Sequence, residues 1–342
     1  MFIGTYNRPG AWFTAHGEGL LSCSFDAVTG TITRRDAFVD IANPTYLAWA
    51  ADGRLLAATD HYMEPGAVHA FAVNAEGELQ QLSSADAQGQ AVCHVCGDRK
   101  GKVYVASYMD GRLTVHDLDA EGWLSPAVQV FRYAGTGPNA ARQEAAHAHQ
   151  AVLAPDGRHL YVPDLGADCV WVHGVDAHGR LNSTSSSAVA PGSGPRHLVF
   201  HPSLSLAYLI GELDGVVRVL SRDPLSGALS QIAAHPGTGS AVPGAAAIRL
   251  HPSGKILAAS ERSDATISFF AVAADGSLSF AARLACGGKT PRDFAFDPSG
   301  RWLLCACQDS DRITVHELDA AGLPSGRRGP DFPCGSPVNI LF

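Results

Sequence analysis

The apolar positions of this chain fall in short runs broken by small polar turns, and the runs recur. One turn places a glycine between two apolar runs and appears seven times: FDAVTGTI at Gly30, FAVNAEGEL at Gly77, HDLDAEGWL at Gly122, HGVDAHGRL at Gly179, SRDPLSGAL at Gly227, FAVAADGSL at Gly276 and HELDAAGLP at Gly322. The intervals run from 45 to 49 residues, with one of 57 between Gly122 and Gly179. A second turn falls between these, as in AADGRLLAA at Ala50–Ala58, APDGRHLYV at Ala154–Val162, HPSLSLAYL at His201–Leu209, HPSGKILAA at His251–Ala259 and DPSGRWLLC at Asp297–Cys305; GDRKGKVYV at Gly97–Val105 is a degenerate copy. Each period therefore holds four short strands, with the alternation of half-buried β-structure visible in GAVHAFAV.

Periods in the upper forties with four strands each predict propeller blades. The N-terminus opens on a second-strand pattern (MFIGTY), and the C-terminus stops after a first-strand pattern (PVNILF). The expected fold is all-β: a single domain over residues 1–342, a seven-bladed β-propeller with four antiparallel strands per blade, one blade closed by strands from both termini. That closure leaves no free ring edge.

Composition sharpens this picture at a few points. Apolar residues are 46% and charged residues 17%, enough for a large core, and the net charge of −8 with no basic run argues against nucleic-acid binding. No run approaches a membrane span, and MFIGTYNRPG lacks the basic and apolar regions of a signal peptide. Eight cysteines, including Cys93 and Cys96 inside an apolar strand, read as reduced core thiols of a cytoplasmic protein.

Chemistry is expected at one mouth of the channel, where the first strands begin and the second strands end. The first-strand starts carry Thr45, His94 (a little further in), His147, His149, Arg196, His197, Arg292 and Asn339. The second-strand ends carry Tyr6, Asp60, Tyr108, Asp164, Glu212, Arg262 and Gln308. The long interval supplies the irregular loop GPNAARQEAAHAHQ, whose Arg142, Gln143 and Glu144 could cover that mouth. Converging arginines suit a carboxylate or phosphate, and a histidine or glutamate beside them can move protons at neutral pH. His147 and His149 share a strand face, but no third ligand is specified by spacing, so neither a metal nor another cofactor is expected. His69, His116, His201 and His251 read as structural.

These segments resemble a known family. IGTYN at Ile3–Asn7, GPNAARQEAAHAHQ at Gly137–Gln150, YVPDLGAD at Tyr161–Asp168, GPRHLVFHP at Gly194–Pro202, GELDGVV around Glu212, ASERSDATISFF at Ala259–Phe270 and TPRDFAFDPSGRWLL at Thr290–Leu304 are similar to the seven-bladed propeller lactonases of the 6-phosphogluconolactonase type, which include a 3-carboxy-cis,cis-muconate lactonising branch. Gln150 departs from the serine common there. The resemblance implies a metal-independent pocket in which His149, Glu212, Arg196 and Arg262 are catalytic. Arg292, His147, His197, Arg142, Gln143, His94, Gln308 and Tyr6 are expected to bind substrate. The implied activity is hydrolysis of 6-phospho-D-glucono-1,5-lactone or a related sugar lactone, with His149 or Glu212 as the base. The alternatives are a cycloisomerase acting on a carboxymuconate-type diacid and a non-catalytic binding propeller. The expected partner is a small anionic lactone or sugar acid, with no nucleic acid or membrane, and the protein is expected to be a monomer or weak homo-oligomer.

Overall fold

The structure, a computed structural model, describes residues 1–10, 13–62, 64–237, 240 and 243–342. The alternating runs become strands, and the strands form seven separate antiparallel sheets. From the channel outward, blade one holds Pro44–Trp49, Leu55–His61, Glu64–Val73 and Leu79–Gln90. Blade two holds Val92–Gly97, Lys102–Ser107, Arg112–Asp117 and Gln129–Arg132, and blade three Val152–Leu153, His159–Asp164, Cys169–Val175 and Leu181–Ala188. Blade four holds Pro195–Phe200, Leu206–Gly211, Val216–Arg222 and Leu229–Pro236, and blade five Ala245–Leu250, Ile256–Glu261, Thr266–Val272 and Leu278–Ala285. Blade six holds Pro291–Phe296, Trp302–Cys307, Arg312–Leu318 and Pro324–Arg328, with Phe332–Pro333 as an extra short strand on Arg312–Leu318.

The closing blade joins the two ends. Pro337–Leu341 pairs with Phe2–Thr5, which pairs with Leu20–Asp26 and then Thr31–Phe38. Ile3 lies opposite both Ile340 and Leu21, so its backbone hydrogen bonds tie the first residues to the last.

The core is divided among the blade boundaries. Ile3, Leu21 and Ile340 of the closing blade pack with Trp302, Leu304 and Val315 of blade six, and comparable clusters fill the other interfaces. The recurring glycine turn is part of this packing. All seven of its glycines have positive φ, between 73° and 89°, which a residue with a Cβ adopts at a cost. Three of the turns offer the glycine carbonyl to a tyrosine of the preceding blade: the buried hydroxyls of Tyr104, Tyr161 and Tyr208 donate to Gly179, Gly227 and Gly276.

The innermost strands are also joined by a hydrogen bond at every blade boundary around the channel. Thr45 Oγ1 donates to the Val92 carbonyl, the Ala151 amide to His94 Nδ1, and the Leu198 amide to Gln150 Oε1. Arg196 donates to the Ala246 carbonyl, Arg249 to Asp293, the Ile340 amide to Asp293, and the Leu47 amide to Asn339 Oδ1.

Candidate active site

A repeated irregularity builds the site. In six blades the innermost strand slips by one residue at its entrance: between Pro44 and Tyr46, Val92 and His94, Pro195 and His197, Ala245 and Ile248, Pro291 and Asp293, and Pro337 and Asn339. In blade three the lone bridge Ala148–Asp164 and the pair Val152–Tyr161 bracket one extra residue, and His149 takes the equivalent place. A bulge frees a residue from the pleat and re-aims its side chain. The freed residues are Thr45, Cys93, His149, Arg196, Arg292 and Val338, with only alanine in blade five. All six line one small chamber on the channel axis.

Above that chamber opens a cavity of about 540 Å³. Thr45, Cys93, His149 and Arg292 belong to both spaces. The cavity's other charged walls come from the second-strand ends (Asp60, Glu212, Arg262, Asp309) and from the long loop (Arg142, Glu144), and its aromatic wall includes Tyr6, Phe13, Tyr62 and Tyr108.

Glu212 is the electrostatic hub. Its carboxylate, 4% exposed, receives Arg142 at 2.6 Å, Arg196 at 2.9 Å and Arg262 at 3.0 Å. Burial opposes the charged carboxylate, but the three guanidiniums outweigh it and hold Glu212 well below the usual carboxylate range. Arg292 is different. Among the described residues it makes no hydrogen bond or ion pair, and its guanidinium carbon lies 5.3 Å from the centre of the Tyr6 ring. Tyr6 in turn stacks on Phe13 at 4.0 Å. Burial, then the Arg196 cation, push the His149 imidazole well below 6.5, so the ring is neutral at pH 7. Burial raises the Asp60 carboxyl, whose Oδ1 accepts the Tyr62 amide. Burial also pushes the Cys93 thiol up to about 12, too high for a thiolate nucleophile.

The structure brings together His149, Glu212, Arg262, Arg292, Arg142, His147, Gln308 and Tyr6 on the cavity wall, while Arg196 lines the small chamber beneath it and reaches the cavity through Glu212. Five expected positions need correction. His94 and His197 follow the bulged residue, so they sit a layer below the cavity: His94 packs against Tyr46 and His197, and His197 lines only the lower chamber. Asn339 is lowered for the same reason and is spent on Asp293 and Leu47. Gln143 is wholly buried. Its side chain accepts the Asn139 amide and donates to the Leu165 carbonyl, so it folds the loop that carries Arg142. Asp164, also expected at the mouth, is a buried anchor accepting from the His147, Gly166 and Ala167 amides and from Trp171 Nε1.

His147 reaches the cavity with both ring nitrogens engaged, by the Tyr108 carbonyl at 2.9 Å and Glu144 at 3.2 Å. It therefore fastens the loop to blade two. Gln308 Oε1 has no hydrogen-bond partner among the described residues, while its Nε2 donates to Asp309. Sequence reasoning missed Cys93, Val338, Phe13 and Met109 as cavity or chamber residues. A legible signal existed for Val338: in blades one, four, six and the closing blade the bulged residue directly follows proline (Pro44, Pro195, Pro291, Pro337).

Fold and site define an all-β propeller with an arginine-walled pocket at one channel mouth. Residues 1–342 match the family described as "Lactonase, 7-bladed beta-propeller", and the chain belongs to that family. It is similar to the 6-phosphogluconolactonase of Bacillus subtilis (strain 168), with 29% identity over 93% of this chain and 90% of that one. Among solved structures, a putative 6-phosphogluconolactonase from Bacteroides uniformis ATCC 8492 superposes with a TM-score of 0.91 at 32% identity, covering 99% of this chain and 97% of that one. The Pseudomonas aeruginosa periplasmic gluconolactonase PpgL superposes with a TM-score of 0.90 at 31% identity and the same coverage. No helix among the described residues is long and apolar enough to cross a membrane.

Proposed function

We propose that this protein hydrolyses a sugar lactone, 6-phospho-D-glucono-1,5-lactone or a close relative, in the cavity at the channel mouth. The observation that carries this reading is Arg292, a cation facing the cavity that is ion-paired to no carboxylate among the described residues, beside three arginines already tied to Glu212. A cation left in that state suits a ligand that brings the missing charge, and a guanidinium takes phosphate or carboxylate bidentately. The names of the relatives from B. subtilis and P. aeruginosa point to the same substrate class.

In the mechanism, Arg292 holds the substrate's anionic group, and the acceptors Gln308 Oε1 and Asp309 take sugar hydroxyls. The lactone carbonyl lies toward Arg196 and Arg262. Arg196, pulled down to about 10 chiefly by burial, remains a cation at pH 7 and stabilises the oxyanion as it forms. Neutral His149 accepts a proton from water as the water oxygen bonds to the carbonyl carbon. The ring C–O bond then breaks, and the departing oxygen takes the proton back from the imidazolium. The product acid loses its proton to solvent. Glu212, held far below neutrality, serves as the anchor that aligns the arginines; His149 is the base. No cofactor enters this scheme. We further place the protein in the cytoplasm as a monomer or weak homo-oligomer, on the strength of its eight unpaired thiols and its modestly acidic surface. Cell fractionation tests the compartment, since a similar structure is periplasmic by name.

The test is hydrolysis of freshly generated 6-phosphogluconolactone against unphosphorylated glucono-1,5-lactone, with spontaneous opening subtracted. Wild type should turn over the lactone. Arg292→Ala should raise KM for the phosphorylated substrate roughly 10- to 100-fold, the value of a charged hydrogen bond. Absence of turnover on either lactone, together with loss of absorbance on adding a carboxymuconate, would replace hydrolysis with cycloisomerisation.

A further inference from the structure

The hydrogen-bond register singles out one ring of residues at the cavity. Near the end of the second strand of each blade, one amide donates to the carbonyl just ahead of the first strand. Tyr6, Asp60, Tyr108, Glu212, Arg262 and Gln308 hold this place in six blades, and all six line the cavity. In blade three the corresponding amide is that of Leu165, which donates to the His147 carbonyl. Two of the six carry carboxylates, and the two are in opposite states.

Glu212, in blade four, is filled by three arginines. Asp60, in blade one, stands three blades away round the ring and has no arginine partner among the described residues. Its Oδ1 accepts the Tyr62 amide at 2.7 Å and so closes its own turn. Oδ2 has no hydrogen-bond partner among the described residues, and the side chain, 6% exposed, lies on the cavity wall. Burial raises the carboxyl, while the Tyr62 amide and the Arg292 cation favour its ionised form. An ionised carboxylate oxygen can only accept. The guanidiniums of Arg292, Arg262 and Arg142 on the same cavity disfavour a cationic donor there, and the carboxylate itself repels a second anion. What remains is a neutral donor, and on a lactone that is a hydroxyl.

We propose that Asp60 is a specificity residue: its Oδ2 accepts a hydrogen bond from a substrate hydroxyl, so the cavity takes polyhydroxylated lactones in preference to bare lactones and to unsaturated diacids. The reacting carbonyl lies toward Arg196 and Arg262, in blades four and five, so Asp60 reads a hydroxyl on the side of the sugar away from that carbonyl. A buried acceptor that loses its donor stays desolvated and unpaired, which makes such a contact discriminate more sharply than shape does. The reaction named here rests on the lactonase reading; the hydroxyl contact is a matter of binding alone.

The test compares wild type with Asp60→Asn. The side-chain oxygen of the variant still accepts the Tyr62 amide, so the turn is kept and an NH2 group, a donor, replaces Oδ2 at the cavity. The kcat/KM preference for glucono-1,5-lactone over δ-valerolactone, which has no hydroxyls, should narrow roughly 10- to 100-fold, the value of a hydrogen bond to a charged group. An equal loss on both lactones, or no loss on either, overturns the proposal. Binding of D-glucono-1,5-lactam, an analogue that resists hydrolysis, is measured by calorimetry alongside and should weaken by the same factor. That readout also decides where δ-valerolactone is turned over by neither protein. If wild type opens no lactone but binds the lactam through Asp60, the lactonase reading falls and the hydroxyl contact stands. If wild type is an active lactonase whose lactam affinity survives the substitution, or binds no lactam at all, the contact falls. If Asp60→Asn does not fold, Asp60→Ser, whose hydroxyl caps the Tyr62 amide but is too short to reach the sugar, takes its place.

Discussion

At the scale of single residues, the site is a problem in balancing charge. Glu212 sits almost out of water, which is tolerable only because Arg142, Arg196 and Arg262 surround it. Removing its charge strands the buried Arg196 and leaves the partly exposed Arg142 and Arg262 without their partner. Glu212→Gln should therefore cost roughly 3–5 kcal/mol of stability, measured by urea unfolding. Arg196→Ala separates binding from chemistry. It removes the cation beneath the cavity nearest the expected oxyanion and should lower kcat/KM for the lactone by ~100-fold or more. A variant that kept wild-type kcat/KM would remove Arg196 from the reaction.

At the scale of the element, two local devices position these groups. The first is the bulge at the entrance of each innermost strand, which turns one side chain per blade into the channel. The second is the loop between blades two and three, a turn built around Gln143 and pinned by His147 and Asp164. Gly166 sits where this loop passes closest. A Cβ there would lie 1.7 Å from the Ala145 carbonyl oxygen, a clash with backbone that nothing nearby can relieve. Gly166→Ala should displace Arg142 from Glu212 and lower kcat/KM roughly 100-fold, the usual consequence of misplacing a site by about an ångström. The β-sheet circular dichroism should be kept. Loss of the whole fold would show that the loop supports the propeller as well as the pocket.

At the scale of the molecule, the ring of hydrogen bonds between innermost strands makes the channel a closed girdle directly beneath the site. Gln150, which departs from the serine of the resembling family, is the blade-three member of that girdle. The closed ring also buries many histidines. Burial lowers His69 and His173 to about 4, and His94, His149 and His197 well below 6.5. Their folded values lie below the unfolded one, so the stabilising difference is intact above pH 6.5. It is lost as pH falls from there toward 4, because the unfolded chain takes up protons that the folded chain refuses. The melting temperature should drop between pH 7 and pH 5. An unchanged Tm across that interval would mean that these rings reach water.

The sequence by itself determined the strand count, the blade count, the closure by both termini and the family, because hydrophobic alternation and turn chemistry are local and repeat with the fold. It also placed Glu212, Arg262, Arg292, His149 and Tyr6 near one mouth, because they lie at the two phases of the repeat, first-strand start and second-strand end, that meet there. It did not separate neighbours within a strand. Arg196 reaches Glu212 while His197 packs against His94 and His149, and Arg292 reaches the cavity while Asp293 belongs to the girdle. A one-residue bulge decides which of two adjacent side chains points into the channel, and its position depends on how two paired strands share their hydrogen bonds. The tertiary structure alone also decided that three arginines share one carboxylate while the fourth pairs with none among the described residues. Those charges come from different blades, and only closure of the ring sets the distances between them.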